Sequence, residues 1–129
     1  MDLKKIVPQD KSDIQFITEL SKYNIKEVKE IVPELLTWLQ DYNWPPAEHV
    51  GNYLSKFTNE IDEQIISILK GNDDIWKYWV ISTLVLHSDV IPNEHILEEV
   101  KRIADTPTLS EKEEEVDEIA QEAIEKYKN

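Results

Sequence analysis

The sequence contains no cysteine. Disulfides, thiol nucleophiles and thiolate metal sites are therefore excluded, and the composition fits a reducing compartment. Glycine occurs only at Gly51 and Gly71, although strand turns and phosphate-binding loops use glycine for positive φ or for close backbone approach. This shortage of glycine favours long helices that are joined by short connections.

Basic residues are also scarce. Fourteen Lys and Arg residues stand against 27 Asp and Glu, which gives a net charge of −13, and Arg102 is the sole arginine. The excess is largest in the C-terminal part, from Glu94 to Glu125. A surface of this sign repels phosphate backbones, so nucleic-acid binding is not expected, whereas a basic partner would be attracted to it. The alternative is that the charge only keeps helix surfaces solvated.

Long apolar runs are absent as well. The longest, Trp79 to Leu86, is far shorter than the roughly 20 residues that a membrane span needs. Residues 1–5 lead into polar sequence instead of an apolar signal core, so we expect a cytoplasmic protein without a membrane segment. A chain of 129 residues is expected to form one domain, residues 1–129.

Helix signals recur along the whole chain, and no segment shows the alternation of a strand. The predicted helices are Asp10 or Ser12 to Asn24 (with Ile14 on its buried face), Lys26 to Gln40 with a restart at Pro33, Pro45 to Phe57, Asn59 to Gly71, Asp73 or Asp74 to His87, Pro92 to Ala104, and Glu111 to Lys128. The segment from Asp74 to His87 is apolar nearly all round, so we expect it at the centre of the fold.

The inward positions of three predicted helices recur at near-constant spacing. They are Leu35, Trp38 and Leu39, then Ile65, Ile68 and Leu69 at an offset of 30, then Val100, Ile103 and Ala104 at a further 35. A period of this length with two helices per unit is typical of α-solenoids. The pattern predicts an all-α fold of about seven helices, a short right-handed α–α superhelix of the HEAT or armadillo type.

Two tryptophan-containing segments carry a family resemblance. Residues 33–45 (PELLTWLQDYNWP) and 69–79 (LKGNDDIWKYW) resemble a bacterial domain family of unknown function with HEAT-like repeats. The acidic residues 114–120 are similar too, so the resemblance covers nearly the whole chain. It implies a HEAT-like fold and carries no established activity.

The most distinctive candidate surface combines tryptophans with charged and polar side chains, and we call it the tryptophan patch. Its members are Asn43, Trp44, Asp73, Asp74, Trp76, Lys77 and Trp79. Tryptophan is enriched in binding hot spots, and Lys77 could bind a ligand carboxylate. If the repeats stack in register, Trp44 and Trp76 form an aromatic ledge. The alternative is packing, with Lys77 paired to Asp73 or Asp74 in its own helix.

No catalytic or metal-binding motif accompanies the tryptophan patch. His49, His87 and His95 fall on different helices without the spacing of a triad. His95 and Glu99 supply only two metal ligands one helical turn apart. We therefore expect no catalytic residue, no metal and no cofactor.

Four hypotheses about function remain open at this point. The first is a non-catalytic protein-interaction module with an unknown partner, and a sharper version is an acidic immunity or antidote protein that neutralises a basic toxin. The third is a small-molecule-binding protein or enzyme that uses Trp44, Trp76, Lys77 and Trp79. The fourth is a structural domain of a larger assembly.

Overall fold

A computed structural model describes residues 6–128, and over this range the chain is all-helical and contains no strand. The eight α-helices are α1 (Phe16–Leu20), α2 (Val32–Thr37), α3 (Pro45–Leu54), α4 (Asp62–Leu69), α5 (Asp74–Val80), α6 (Glu94–Asp105), α7 (Leu109–Glu113) and α8 (Val116–Lys126). Short 3-10 helices span Lys29–Ile31, Trp38–Gln40 and Thr58–Ile61, and a π-helix, Ile81–Leu86, continues α5. Residues 1–5, on which the expectation about export rests, lie outside this range.

Local capping signals set the start of several helices, as predicted. The Asp73 side chain accepts a hydrogen bond from the Trp76 N–H at 3.0 Å, and the Asn93 side chain accepts one from the Ile96 N–H at 3.0 Å. Each bond satisfies an N–H group that has no partner inside the helix. Pro33 lies in the first turn of α2, where its missing N–H costs no hydrogen bond.

The prediction for the first helix was wrong at Ile14. This residue lies before α1 and is 48% exposed, whereas Phe16 and Leu20 are buried. The helix begins late because the Asp13 carboxylate accepts hydrogen bonds from the N–H groups of Gln9 and Gln15, at 2.9 Å each. These bonds hold the preceding residues in a turn.

The pattern also predicts Asn59 and Gly71 as the caps of the helix between them, and this prediction was wrong. Gly71 has no positive φ, and its N–H closes a tight turn on the Ile68 carbonyl at 3.0 Å. Asn59 does not cap its own helix. Its side chain donates to the Ile91 carbonyl at 3.0 Å and accepts from the Asn93 N–H at 2.7 Å, so it joins two connections.

The predicted C-terminal helix is divided into two, which raises the helix count from about seven to eight within residues 6–128. Glu115 adopts a left-handed conformation, φ 61°, between α7 and α8. It is the sole non-glycine residue with positive φ in the described chain. A capping box at Thr108 and Glu111 starts α7, and the left-handed residue then redirects the backbone into α8.

The helix formed by α5 and its π continuation has neighbours on several sides, as expected from its apolar sequence, but Ile75 in its first turn is 51% exposed. α5 packs against α4, α8 and the 3-10 turn Trp38–Gln40, while Ile81–Leu86 packs against α3 and α8. α6 packs against α4 and, most extensively, against α8. No helix within residues 6–128 has the length and apolarity needed to cross a membrane.

The π-helix leaves carbonyl groups at its end that other helices satisfy. Its pattern of hydrogen bonds between residues five apart extends to the His87 N–H and the Ser82 carbonyl, at 3.0 Å. Three later carbonyls accept side-chain hydrogen bonds, from Thr58 to Leu84 at 2.9 Å, from Tyr127 to Val85 at 2.7 Å, and from Lys126 to Leu86. These bonds anchor the end of the central helix.

Candidate functional site

Lys77 is buried in α5 beside two carboxylates. Its side chain is about 5% exposed, and its Nζ lies 2.8 Å from Glu111 Oε2 and 3.0 Å from Asp74 Oδ1. Burial by itself lowers the pKa of the Lys77 ammonium, but the hydrogen bond to Glu111 and the negative charges of Glu111 and Asp74 outweigh it and leave the pKa above its usual value. The group is therefore a fixed cation and a poor general base.

Glu111 is fully buried at the first turn of α7 and receives donors from three sides. Arg102 donates in bidentate fashion, with Nη1 and Nη2 each 2.9 Å from a carboxylate oxygen. The Thr108 N–H donates to Oε1 at 2.8 Å, and Lys77 completes the set. Burial raises the pKa of Glu111, but these hydrogen bonds reverse the effect and lower it to about 2.

Arg102 extends this arrangement to α6. Its Nε donates to Glu99 Oε1 at 2.8 Å, and its pKa is raised mainly by the hydrogen bonds to Glu111. The five residues Asp74, Lys77, Glu99, Arg102 and Glu111 therefore form one ionic cluster, which joins α5, α6 and α7. A cleft of about 440 Å³ lies over the cluster, with Lys70, Asn72 and Ser110 also lining it.

Three members of the ionic cluster were not predicted. Helical spacing predicted Asp73 or Asp74 as the partner of Lys77; in the structure the partner on the same helix is Asp74, while Asp73 caps α5. Glu99, Arg102 and Glu111 come from other helices. The capping-box pattern Thr108-x-x-Glu111 and the status of Arg102 as the sole arginine are the signals that could have drawn attention to them.

The two tryptophans of α5 take part in packing. The Trp76 indole N–H donates to the Leu36 carbonyl at 2.9 Å, so its polar group is used within the fold. The Trp79 ring stacks on Tyr42, with ring centroids 4.7 Å apart and planes 13° apart. Burial, and then the charge of Glu48, raises the pKa of the Tyr42 hydroxyl.

Asn43 and Trp44 share no hydrogen bond, ion pair or ring contact with the other members of the tryptophan patch in the described part of the chain. Trp44 is 37% exposed, and the Lys11 ammonium lies 4.4 Å from the centre of its ring. Asn43 is exposed, and its N–H donates to the Asp41 carboxylate at 3.1 Å. Among residues 6–128, no ring contact joins Trp44 to Trp76, so the aromatic ledge expected from stacked repeats does not form.

The structure gives the histidines no metal or catalytic partners in the part of the chain it describes. Within residues 6–128, no three His, Asp or Glu side chains converge in a way that could hold a metal ion. His95 is exposed, and the Glu99 carboxylate, one turn away, is bound by Arg102. The two groups considered as metal ligands, His95 and Glu99, therefore have different environments, since one is open to solvent and the other is paired with a cation.

A second concave surface, the α6–α8 groove, was not predicted. It has a volume of about 630 Å³, and its apolar floor consists of Leu97, Ile124 and Tyr127, which are half-buried against the core. Its charged rim consists of Glu94, Glu98, Lys101, Glu125 and Lys128. Recognising this groove from sequence required knowing that the outer faces of α6 and α8 lie side by side.

The acidic side chains around the α6–α8 groove have no cationic partners in the described part of the chain. Glu94, Glu98 and Glu125 are exposed, as are Glu118 and Glu122 on α8. None of the ion pairs formed within residues 6–128 includes them, because those pairs are confined to the ionic cluster and to Glu19–Lys22. The groove is thus an apolar strip whose border carries three glutamates and two lysines, and none of these five residues forms an ion pair within residues 6–128.

The fold and these surfaces define an all-α domain that is held together by a buried ionic cluster. The chain belongs to the family described as domain of unknown function DUF5071, whose model matches residues 6–124. The family description assigns no activity. No curated protein matches the chain.

Proposed function

We propose that the chain is a HEAT-like, non-catalytic protein-interaction module. The helix packing supports the HEAT-like part. α4 is a neighbour of α6, and the central helix is a neighbour of both α3 and α8. The inward positions predicted at spacings of 30 and 35 residues fall on α2 with the 3-10 helix that follows it, on α4 and on α6, and this pattern supports a repeat of helix pairs.

The bonding of the side chains in the tryptophan patch supports the second part of the proposal, that the module is non-catalytic. Its reactive groups are already bonded inside the fold, since Lys77 lies between two carboxylates and the Trp76 N–H reaches a backbone carbonyl. Enzymes commonly place groups with pKa values matched to proton transfer in a cleft. Here burial and pairing fix the charges of Lys77 and Glu111 instead, which supports a structural role for the patch.

The alternative of a small-molecule site at the tryptophan patch receives less support. Trp76 and Trp79 are engaged with Leu36 and Tyr42, and Trp44 is separate from both, so the aromatic groups do not converge on one pocket. The antidote hypothesis is a narrower version of the interaction module. The unpaired acidic surface along α6 and α8 supports it, because such a surface attracts a basic protein.

In vivo cross-linking with a photoreactive residue tests the interaction proposal. The residue replaces surface positions one at a time, at Glu30, Ile75, Glu98, Leu109 and Glu122, which are all exposed. We expect one protein to cross-link reproducibly from a contiguous subset of these positions. Cross-linking at the background level from all five, together with stabilisation of the purified chain by a metabolite, would overturn the proposal and favour the small-molecule alternative.

A further inference from the structure

The α6–α8 groove has the dimensions of a helix-binding surface. α6 has 12 residues and α8 has 11, so each offers a face roughly 16 to 18 Å long at 1.5 Å per residue. Leu97 on α6 faces the same groove as Ile124 on α8 and Tyr127 at the C-terminal end of α8. An apolar strip between two helices of this length matches the apolar stripe of an amphipathic helix of about three turns.

The charged residues around the groove floor indicate the charge of the partner that the groove would bind. Three of the five charged residues on the rim are glutamates and the other two are Lys101 and Lys128, while Glu118 and Glu122 continue the acidic surface along α8. Lys126, the lysine in that continuation, donates to the Leu86 carbonyl at the end of the π-helix. The whole surface therefore has five carboxylates and three lysines, and cations supplied by a partner would complement its excess of negative charge.

The same charges argue against the other occupants of such a groove. A second copy of this chain in a two-fold dimer would bring two surfaces of net negative charge together, because a two-fold interface uses the same surface twice. A nucleic acid or an anionic membrane surface carries the same sign as the rim. A basic helix alone satisfies both the apolar floor and the acidic border.

We propose that the α6–α8 groove binds a basic amphipathic helix of a partner protein. The apolar stripe of that helix covers Leu97, Ile124 and Tyr127, and its lysines or arginines face Glu94, Glu98 and Glu125. This inference rests on the proposed function as an interaction module, and it adds which surface binds and what chemistry the partner has.

A synthetic peptide tests the inference directly. The probe is a helical peptide of about 14 residues with leucines along one face and lysines on both flanks. A second peptide carries glutamates in place of the lysines. We expect the lysine peptide to bind with an affinity that falls at least about tenfold between about 0.05 M and 0.5 M salt, since screening weakens exposed charge pairs. The glutamate peptide should show no measurable binding.

Charge reversal at the rim separates binding in the groove from attraction to an acidic protein in general. The variant E94K/E98K/E125K should bind the lysine peptide at least about tenfold more weakly, the loss expected when three exposed pairings become repulsive. The control E30K/E34K/E60K changes the net charge equally at exposed residues outside the groove, and we expect its affinity to stay within about twofold of that of the unmodified chain.

Amide chemical-shift changes in the folded protein give a second readout. The largest changes should map to the residues of the floor, on α6 and α8. Equal weakening by both triple variants, shifts confined to another surface, or a rim-dependent dimer of the chain would each overturn the inference. If the lysine peptide fails but cross-linking still identifies a partner that binds E94K/E98K/E125K normally, the interaction module stands and the groove assignment is wrong.

Discussion

Lys77 in α5 and Glu111 in α7 are 34 residues apart in sequence, and their side chains meet at 2.8 Å in the interior. Neither group is exposed enough to be solvated by water, so each depends on the other for compensation of its charge. The pair ties the central helix to the short helix that precedes α8. The pair is therefore a link between two helices in the interior and not a surface ion pair.

Substituting Glu111→Gln should destabilise the fold by about 2 to 4 kcal/mol, because it leaves the Lys77 charge buried with Asp74 alone and removes the bidentate partner of Arg102. Urea unfolding followed by circular dichroism measures the change. The matched control is Glu113→Gln, at an exposed position of the same helix, which should change stability by less than about 0.5 kcal/mol. Equal effects of the two substitutions would show that the ionic cluster contributes little.

The cost of Glu111→Gln should depend on pH. The pKa of Glu111 is lowered in the folded state from 4.5 to about 2, so the carboxylate stabilises the fold fully above pH about 5 and loses this contribution as the pH falls towards 2. The difference in unfolding free energy between the unmodified chain and Glu111→Gln should therefore stay constant above pH about 5 and shrink as the pH falls from about 5 towards 2. Parallel pH profiles of the two proteins would contradict this assignment.

Replacing Trp76 by Phe should cost about 1 kcal/mol beyond the change in apolar area, since the Leu36 carbonyl loses its indole donor. The protein should remain folded, with an unchanged far-ultraviolet spectrum and a lower melting temperature. Trp44→Phe is the control, because Trp44 is among the exposed large apolar residues and should tolerate the change. If Trp44→Phe proves the more harmful of the two, the assignment of Trp76 to packing is wrong.

Glu115→Gly should stabilise the protein by about 0.5 to 1 kcal/mol, because glycine adopts positive φ without the steric cost that other residues pay. The neighbouring substitution Glu114→Gly, at φ −93°, removes the same charge where no such strain exists. It should be neutral or destabilising. Thermal unfolding of both variants measures the difference, and a lower melting temperature for Glu115→Gly than for Glu114→Gly would refute the prediction.

The parts of the fold that were predictable depend on neighbours in the sequence. Caps such as Asp73 and Asn93 act on N–H groups three residues away, and the apolar character of α5 is visible without any partner. The break at Glu115 was not predictable in this way. It separates α7, which Glu111 fixes to Arg102 and Lys77, from α8, which packs on α6, and both constraints are tertiary.

The candidate site shows the same division. The pairing of Lys77 with Asp74 follows from helical spacing, whereas the burial of Lys77 requires a carboxylate from a distant helix. The tryptophan patch was defined by proximity in sequence, and the fold distributes its members among the ionic cluster, two packing contacts and an exposed corner. The α6–α8 groove depends on which faces of two helices become neighbours, and hydrophobic periodicity marks only the faces turned to the core.

The π-helix at Ile81–Leu86 has a consequence for the phase of the central helix. Each bond between residues five apart adds about one residue to a turn, so the side chains after Ile81 are rotated relative to the directions they would take in a continuous α-helix. The first half of the central helix contacts α4 and its second half contacts α3, while both halves contact α8. Within one continuous helix, the two halves therefore present differently oriented surfaces, and the change of direction begins where the π-helix begins.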